Sequence, residues 1–223
     1  MDRNFRGVTN IGPRFPNWLQ TQTNIKRLNF FNSSIRDTMP KWFENILSHI
    51  LDLDLSNNQI SGTLPQFHRD LSNQMGDGIL KMNSNKFEGS MATFPTNVYI
   101  MDLSDNLLSG HVPQPDATMK PSLIVVSLSK NRFTGSIPVQ LCKVTSIQVL
   151  DLSQNKFNGR LPECLGNLIN LKAMDLSNNT ITGIVPDSLG FLTKLQSLHL
   201  HSNRLEGHLP LSLQKLAEWS QWI

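Results

Sequence analysis

Two aspartates, Asp151 and Asp175, stand 24 residues apart in similar surroundings, each followed by leucine and serine. If the two segments are neighbouring parallel strands, the carboxylates lie about 4.8 Å apart. Such a pair can perform acid–base chemistry or hold a cation. It can also be a pair of solvated residues on a sheet face. We favour this second interpretation, because no catalytic base, nucleophile or cleft accompanies the pair. The sequence therefore predicts no enzyme and no catalytic residue.

Two histidines, His199 and His201, occupy alternate positions of one predicted strand and so project from the same face. Imidazoles in this arrangement can bind a metal or respond to pH. Two histidines without a third ligand make a weak metal site. Surface recognition or solubility is the favoured interpretation, and the sequence predicts neither a metal nor a cofactor.

These residues belong to a repeat with a period of 24 residues, which asparagines at 131, 155, 179 and 203 mark. The unit is L-x-x-L-x-L-x-x-N-x-L-x-G-x-I-P followed by a variable return segment. A period of this length predicts a solenoid, whose units stack and pair with their neighbours. The L-x-L alternation predicts one parallel strand per unit. The strands are expected near 25–30, 50–55, 77–82, 98–103, 123–128, 147–152, 171–176 and 195–200.

The predicted fold class is an α/β repeat solenoid with a concave parallel sheet and short 3₁₀ or irregular convex segments. The asparagine of each unit is expected to satisfy buried backbone groups of its own and the adjacent turn. An exposed turn could also use asparagine, but the eight in-register positions favour a structural ladder. Ser33 takes the first position, which predicts a looser repeat there. The glycine of each unit is expected to permit a turn. The ladder comprises Asn58, Asn85, Asn106, Asn131, Asn155, Asn179 and Asn203.

The whole chain, 1–223, is predicted to be one array of about eight complete repeats, with partial repeats at 1–16 and 211–223. The first partial repeat shows no strand pattern before residue 11. The segment 66–97 is irregular, and we interpret it as an insertion on the convex face, with a binding loop as the alternative. Trp219 and Trp222 fall where another strand would begin. Neither end has a polar capping unit, which predicts the middle of a longer array.

Composition excludes several classes of protein. The net charge is +3, and no run of Lys and Arg forms a nucleic-acid patch. No segment approaches the roughly 20 apolar residues of a membrane span. The N-terminal residues lack the apolar stretch of a signal peptide. We therefore expect no nucleic-acid partner, no membrane span and no leader in this chain.

The Gly-x-Ile-Pro element resembles the plant-type leucine-rich repeat over residues 12–222. Segments 12–22, 37–43 and 198–203 resemble plant receptor-like proteins, including the xylanase-elicitor receptor group and Cf-type resistance proteins. The resemblance implies a right-handed leucine-rich-repeat superhelix. It also implies a parent protein on the extracellular face of the plasma membrane, with a signal peptide and a transmembrane helix. The expected role is ligand recognition in plant defence or developmental signalling.

The concave face is expected to bind a protein, peptide or glycan ligand. Its candidates are charged residues between the two strand leucines, together with His201 two residues after His199. They are Asp54, Lys81, Asp102, Asp151, Asp175, His199 and His201. A basic lateral edge could dock an acidic ligand or a co-receptor, or it could be merely solvated. This edge comprises Lys86, Lys130, Arg132, Lys156 and Arg204.

Two further features depend on secretion. Asn32 and Asn178 begin N-x-[ST] sequences, which are acceptors for glycosylation, although such sequences also arise by chance. Cys142 and Cys164 are too few for a disulfide framework or a zinc site. They lie in neighbouring return segments and could form a disulfide or remain buried thiols. Two other functions stay open, namely a secreted inhibitor of a hydrolase and a truncated, non-signalling receptor fragment.

Overall fold

The computed structural model describes residues 3–5, 11–67, 78–95, 98–115 and 123–215. In this part of the chain sixteen short strands and one single-turn helix, α1 (Phe43–Leu47), are present. The strands are β1 (Arg3–Phe5), β2 (Ile25–Asn29), β3 (Asp52–Asp54), β4 (Ser61–Thr63), β5 (Gly78–Lys81), β6 (Lys86–Ser90), β7 (Val98–Asp102), β8 (Leu107–His111), β9 (Val125–Ser127), β10 (Arg132–Gly135), β11 (Val149–Asp151), β12 (Lys156–Phe157), β13 (Ala173–Asp175), β14 (Thr182–Gly183), β15 (Ser197–His199) and β16 (Arg204–Leu205).

The larger sheet contains nine strands in the order β1-β2-β3-β5-β7-β9-β11-β13-β15, and every pair is parallel. All eight strands expected from the L-x-L pattern are present. The ninth, β1, corrects the expectation that no strand precedes residue 11. Arg3–Phe5 lacks the leucine pattern, so the sequence gives no signal for it. Its backbone nevertheless pairs with residues 25–28 of β2.

A second sheet runs along the side of the solenoid and was not expected. Five strands form it in the order β12-β10-β8-β6-β4, and β14 pairs separately with β16. Five of the seven repeat glycines, for which the sequence predicts turns, lie in these strands: Gly62, Gly89, Gly110, Gly135 and Gly183. Gly135 has φ +81°, and the ring of His111 in the preceding repeat lies where its Cβ would project. The glycine therefore supplies both the left-handed backbone and the space for a neighbouring side chain.

The convex side consists of short 3₁₀ helices, as the sequence predicts. Pro138, Pro162 and Pro186 directly precede three of these helices and have φ between −62° and −66°. A fixed φ of this kind favours the start of a helix without needing a backbone donor. The 3₁₀ helices span Asn17–Thr21, Val139–Lys143, Glu163–Asn167, Asp187–Phe191 and Leu211–Lys215.

The core is a single stack of apolar side chains between the two sheets and the convex helices. The apolar residues at the two leucine positions of each repeat point inward; in one repeat, Leu150 and Leu152 are 0% and 1% exposed. Phe133 stacks on Phe157 of the next repeat, with ring centroids 6.3 Å apart. The inward leucines leave the alternate residues of each strand on the concave surface.

Three expectations fall partly outside the described residues, and one of them is the partial repeat 1–16, of which residues 1–2 and 6–10 are outside. Residues 68–77 and 96–97 of the irregular segment 66–97 are outside, and so are Trp219 and Trp222 of the partial repeat 211–223. The described part of the irregular segment contributes β5 to the concave sheet and β6 to the lateral sheet. The pairing of β5 with β7 shifts register between Gly78 and Ile79. Within the described ranges, the helices are too short and insufficiently apolar to span a bilayer.

Candidate ligand-binding surface

The asparagine ladder fixes the ends of seven of the concave strands. Nδ2 of Asn131 donates to the carbonyls of Leu103 at 3.0 Å, Leu128 at 3.1 Å and Ser129 at 3.1 Å. Its Oδ1 accepts from the backbone N–H of Leu108 at 3.0 Å. The side chain thus joins its own repeat to the preceding one. The amide donations to backbone carbonyls recur in all seven ladder asparagines.

Ser33 occupies the first position of the ladder and is fully buried. It has no amide, and the next asparagine serves it instead. Oδ1 of Asn58 accepts from the backbone N–H groups of both Ser33 and Ile35, each at 3.0 Å. The first repeat is therefore held by its C-terminal neighbour.

The residues between the strand leucines form one unbroken row across eight strands. Each is the Cα partner of the next, so their side chains lie side by side on the concave face. The row contains six of the seven predicted ligand candidates, all except His201, and two neutral residues. In strand order it is Asn29, Asp54, Lys81, Asp102, Ser127, Asp151, Asp175 and His199.

The aspartates of this row also have a local structural role. Oδ1 of Asp151 accepts from the backbone N–H and the hydroxyl of Ser153, at 3.0 and 2.7 Å. Asp102 makes the same pair of bonds with Ser104. Such local bonds compete with sheet pairing and end the strand. Among the described residues, Oδ2 of Asp102 and of Asp151 has no hydrogen-bond donor. One carboxylate oxygen holds the turn, and the other is available to a ligand.

An apolar stripe, which the sequence analysis missed, lies beside this row. On each of five consecutive strands, the residue two positions before the row residue belongs to this stripe, and all five residues are half-buried. Each is the Cα partner of the next. Four strand spacings give the stripe a length of about 19 Å. In the sequence, the only signal for this stripe is an apolar residue at an outward position of each of these strands. The apolar stripe is Ile79, Ile100, Val125, Val149 and Ala173.

A recess of about 360 Å³ opens at the N-terminal end of the apolar stripe. Nε of Arg27 lies 2.9 Å from Oδ2 of Asp52, which forms an ion pair that is partly exposed. Oδ1 of Asp52 accepts from the backbone N–H of Ile79 at 3.2 Å. The carboxylate thereby replaces a sheet hydrogen bond where β5 begins. Asn29, Asp54 and Lys81 complete the polar lining.

The two histidines lie at the C-terminal end of the concave face. Nε2 of His199 is 2.9 Å from the hydroxyl of Ser197, and Nδ1 of His201 is 3.2 Å from that of Ser202. The two rings are perpendicular, with centroids 6.2 Å apart. No cluster of three metal-ligating side chains occurs within the described ranges. His199 is the Cα partner of Asp175 and is the last residue of the row.

The basic lateral edge follows the first residues of four lateral strands. Lys86, Arg132, Lys156 and Arg204 are the first residues of β6, β10, β12 and β16, and all are exposed. Lys130 adjoins them at a corner with φ 53°. Arg27–Asp52 is the sole ion pair in the part of the chain that the structure describes. The cations of the basic lateral edge therefore have no carboxylate partner there.

Cys142 and Cys164 form a disulfide between consecutive convex segments, with Cα atoms 5.6 Å apart. Counted from the repeat proline, Cys142 matches Gly166 in the next repeat, and Cys164 matches Ser188. A Cβ on Gly166 would lie 2.7 Å from Cβ of Ser188. The backbones of consecutive repeats thus approach closely at this point. Two cysteines placed there are within bonding range.

Both glycosylation candidates are exposed. Asn32 and Asn178 occupy the residue before the ladder position, with φ 50° and 55°. Nδ2 of Asn178 donates to the hydroxyl of Ser177 at 3.3 Å. The two side chains lie at the corner between the concave strand and the lateral edge.

Comparison with known proteins supports the repeat class. One family model, described as "Leucine rich repeat", matches residues 161–205. A second, described as "Leucine Rich Repeat", matches residues 49–71, 122–144 and 146–168. Receptor-like protein EIX2 of Solanum lycopersicum is 36% identical over 129 residues, which cover 58% of this chain and 12% of that protein. Receptor-like protein EIX1 of the same species is 40% identical over 89 residues, which cover 40% of this chain and 8% of that protein.

Solved structures give the same fold. The LRR ectodomain of the plant membrane receptor kinase GASSHO1/SCHENGEN3 from Arabidopsis thaliana, in complex with CASPARIAN STRIP INTEGRITY FACTOR 2, aligns with a TM-score of 0.70 and 31% identity. The alignment covers 92% of this chain and 27% of that one. PEPR1 in its PEPR1-AtPEP1 structure aligns over 91% of this chain and 32% of that one, with a TM-score of 0.73 and 23% identity, which supports the fold alone. The chain spans about an eighth or less of the two tomato relatives. Its repeats have the leucine-rich-repeat fold and are similar to those of plant receptor-like proteins.

Proposed function

We propose that this chain is a ligand-recognition module of a plant cell-surface receptor-like protein and that it binds a protein, peptide or glycan on its concave face. The observation that carries the proposal is the continuous pairing of outward residues across consecutive strands. This pairing places the row from Asn29 to His199 and the apolar stripe side by side over several repeats. A surface of this kind recognises a ligand through many contacts rather than through one enclosed pocket.

Binding rather than catalysis is the proposed activity. Asp151 and Asp175 are Cα partners, but each also accepts a hydrogen bond from the serine N–H two residues later. Their recurrence is explained by the turn that ends each strand. The relatives are named as receptors, and the solved ectodomain at 31% identity is in complex with another molecule. Both facts support a recognition role.

We place the module outside the cell. The disulfide between Cys142 and Cys164 supports this location, because disulfides persist in oxidising compartments. The exposure of Asn32 and Asn178 supports their glycosylation on the same pathway. The basic lateral edge is proposed to dock an acidic surface, such as that of a co-receptor. We also propose one continuous array, because a single sheet runs from β1 to β15.

The concave site can be tested with variants that block it. The chain, immobilised and folded, is incubated with plant apoplastic fluid, and the retained peptides and glycans are identified by mass spectrometry. Val125→Arg and Val149→Arg place a long cation in the middle of the apolar stripe. Asn167→Arg adds the same charge at an exposed convex position and serves as the matched control.

Ligands retained by the unmodified chain and by the Asn167→Arg control are expected to be lost with both stripe variants. Circular dichroism establishes that each variant is folded. If the folded stripe variants retain the same molecules as the unmodified chain, the concave face is not the binding site.

A further inference from the structure

We propose that the concave ligand is an extended peptide segment in which apolar and basic side chains each recur every third residue. This inference rests on the proposed function and names the ligand chemistry of the same site. The apolar side chains would contact the apolar stripe. The basic ones would face an acidic row, which we define as Asp102, Asp151 and Asp175.

The apolar stripe requires an apolar occupant. Its five side chains are half-buried, and their outward surfaces face the concave side, without a covering segment among the described residues. Burying apolar surface against a partner is favourable at about 25 cal/mol per Å². At an extended rise of about 3.1 Å per residue, the stripe of about 19 Å accommodates about six residues. A short extended segment therefore matches the length of the stripe.

Charge complementarity selects a basic peptide. Asp102 and Asp151 follow stripe residues by two positions on the same strands, so their carboxylates flank the stripe. Asp151 and Asp175 are Cα partners, which places two like charges side by side. No Lys, Arg or His nitrogen lies within 4 Å of these carboxylates in the part of the chain that the structure describes. A cationic side chain would relieve this repulsion, whereas an anionic one would increase it.

Spacing selects a three-residue period. Polyproline II backbone has three residues per turn and advances about 9.3 Å per turn. Two strand spacings measure about 9.6 Å. Residues i and i+3 of such a segment therefore meet every second strand, and Asp102 and Asp151 are two strands apart, with Ser127 between them. A β-strand ligand repeats about every 6.8 Å, which matches neither one strand spacing nor two.

The two charged surfaces of the molecule then have different partners. The acidic row faces the concave side, whereas the basic lateral edge runs along the lateral strands. A basic peptide is attracted to the first surface and repelled by the second. This opposition also orients the peptide on the sheet face rather than across the lateral edge.

The test uses three dye-labelled peptides with capped ends, each of three tripeptide repeats. They are Val-Lys-Pro, Val-Glu-Pro and Ser-Lys-Pro, and fluorescence anisotropy gives the Kd for the full chain at low salt. Val-Lys-Pro is expected to bind most tightly. The double variant Asp102→Asn with Asp151→Asn is expected to weaken its binding about tenfold, as two partly exposed ion pairs would. Asparagine keeps the Oδ1 acceptor, so the strand-ending turns are preserved.

The matched control is the double variant Glu163→Gln with Asp187→Asn, which removes the same charge from exposed convex positions. Its Kd for Val-Lys-Pro is expected to equal that of the unmodified chain. The double variant Val125→Ser with Val149→Ser is expected to weaken Val-Lys-Pro about as much as replacing Val-Lys-Pro by Ser-Lys-Pro does.

The outcomes separate this inference from the proposed function. Equal or tighter binding of Val-Glu-Pro, an unchanged Kd in the acidic-row variant, or no binding of any peptide would overturn the ligand assignment. If Val-Glu-Pro binds and the Val125→Ser, Val149→Ser variant loses it, the concave site stands with a different ligand. If the folded Val149→Arg variant also retains the apoplastic ligands, the proposed function fails as well.

Discussion

The asparagine ladder predicts a large and position-dependent loss of stability on mutation. Nδ2 of Asn155 donates to the carbonyls of Leu128, Leu152 and Ser153 at 2.9 to 3.2 Å, and its Oδ1 accepts from Phe133 N–H at 3.0 Å. Asn155→Ala leaves this buried N–H and the carbonyls without their partner. An unsatisfied buried group costs about 1–3 kcal/mol, and each lost hydrogen bond about 1 kcal/mol. We therefore expect the free energy of unfolding to fall by about 4 kcal/mol.

Urea denaturation followed by circular dichroism measures this loss, with the slope m compared between variants. Asn203→Ala removes equivalent bonds from a half-buried ladder position and should cost about half as much, because water reaches the unpaired groups. Asn158→Ala, at an exposed position on the lateral edge, should change stability by no more than about 0.5 kcal/mol. A cost for Asn155→Ala equal to that for Asn158→Ala would refute the ladder as the element that joins the repeats.

The remaining predictions concern the disulfide, one glycine and one sequon. Replacing Cys142 by glycine and Cys164 by serine gives these positions the residues that the next repeat has, Gly166 and Ser188. The fold should therefore be unchanged. Loss of the cross-link over 22 residues should lower stability by about 3 kcal/mol, measured by urea denaturation of the oxidised chain against this variant. Gly135→Ala should cost about 2 kcal/mol or more through its positive φ and the His111 ring, and an added His111→Ala should recover only the steric part. On secretion from plant cells, Asn178→Gln should remove one glycan mass; an unchanged mass would contradict glycosylation there.

The sequence predicted the elements that each repeat specifies within itself. The L-x-L pattern located eight strands, because inward leucines and outward polar residues alternate with a period of two. The ladder was predictable because an amide at a fixed place after a strand is suited to buried backbone groups. The short convex helices followed from the length of the return segments.

The lateral sheet and β1 could not be predicted in this way. Strands such as β12 and β14 have two residues each, too few to show a period. Glycine also disfavours a strand on its own, and only pairing with the neighbouring repeat makes these segments extended. β1 pairs through its backbone with residues more than twenty positions away. Such contacts leave no local pattern.

The binding surface was predicted only in part. The row from Asn29 to His199 was located, but the turn-forming role of its aspartates required the hydrogen bonds to serine. The apolar stripe was overlooked because single apolar residues on a strand surface are ordinary. They gain meaning when the register shows that five of them are adjacent, as Val125 and Val149 are.

Methyl NMR of the folded chain shows directly which face of the solenoid the ligand contacts. The apoplastic ligands retained by the unmodified chain are eluted and added to protein labelled at isoleucine and valine methyl groups. Recognition on the concave face predicts shift changes at Ile79, Ile100 and Val149, with none at Ile169 and Ile184, which are 56% and 61% exposed on other faces. Shift changes at Ile169 or Ile184, with the stripe methyl groups unaffected, would contradict recognition on the concave face.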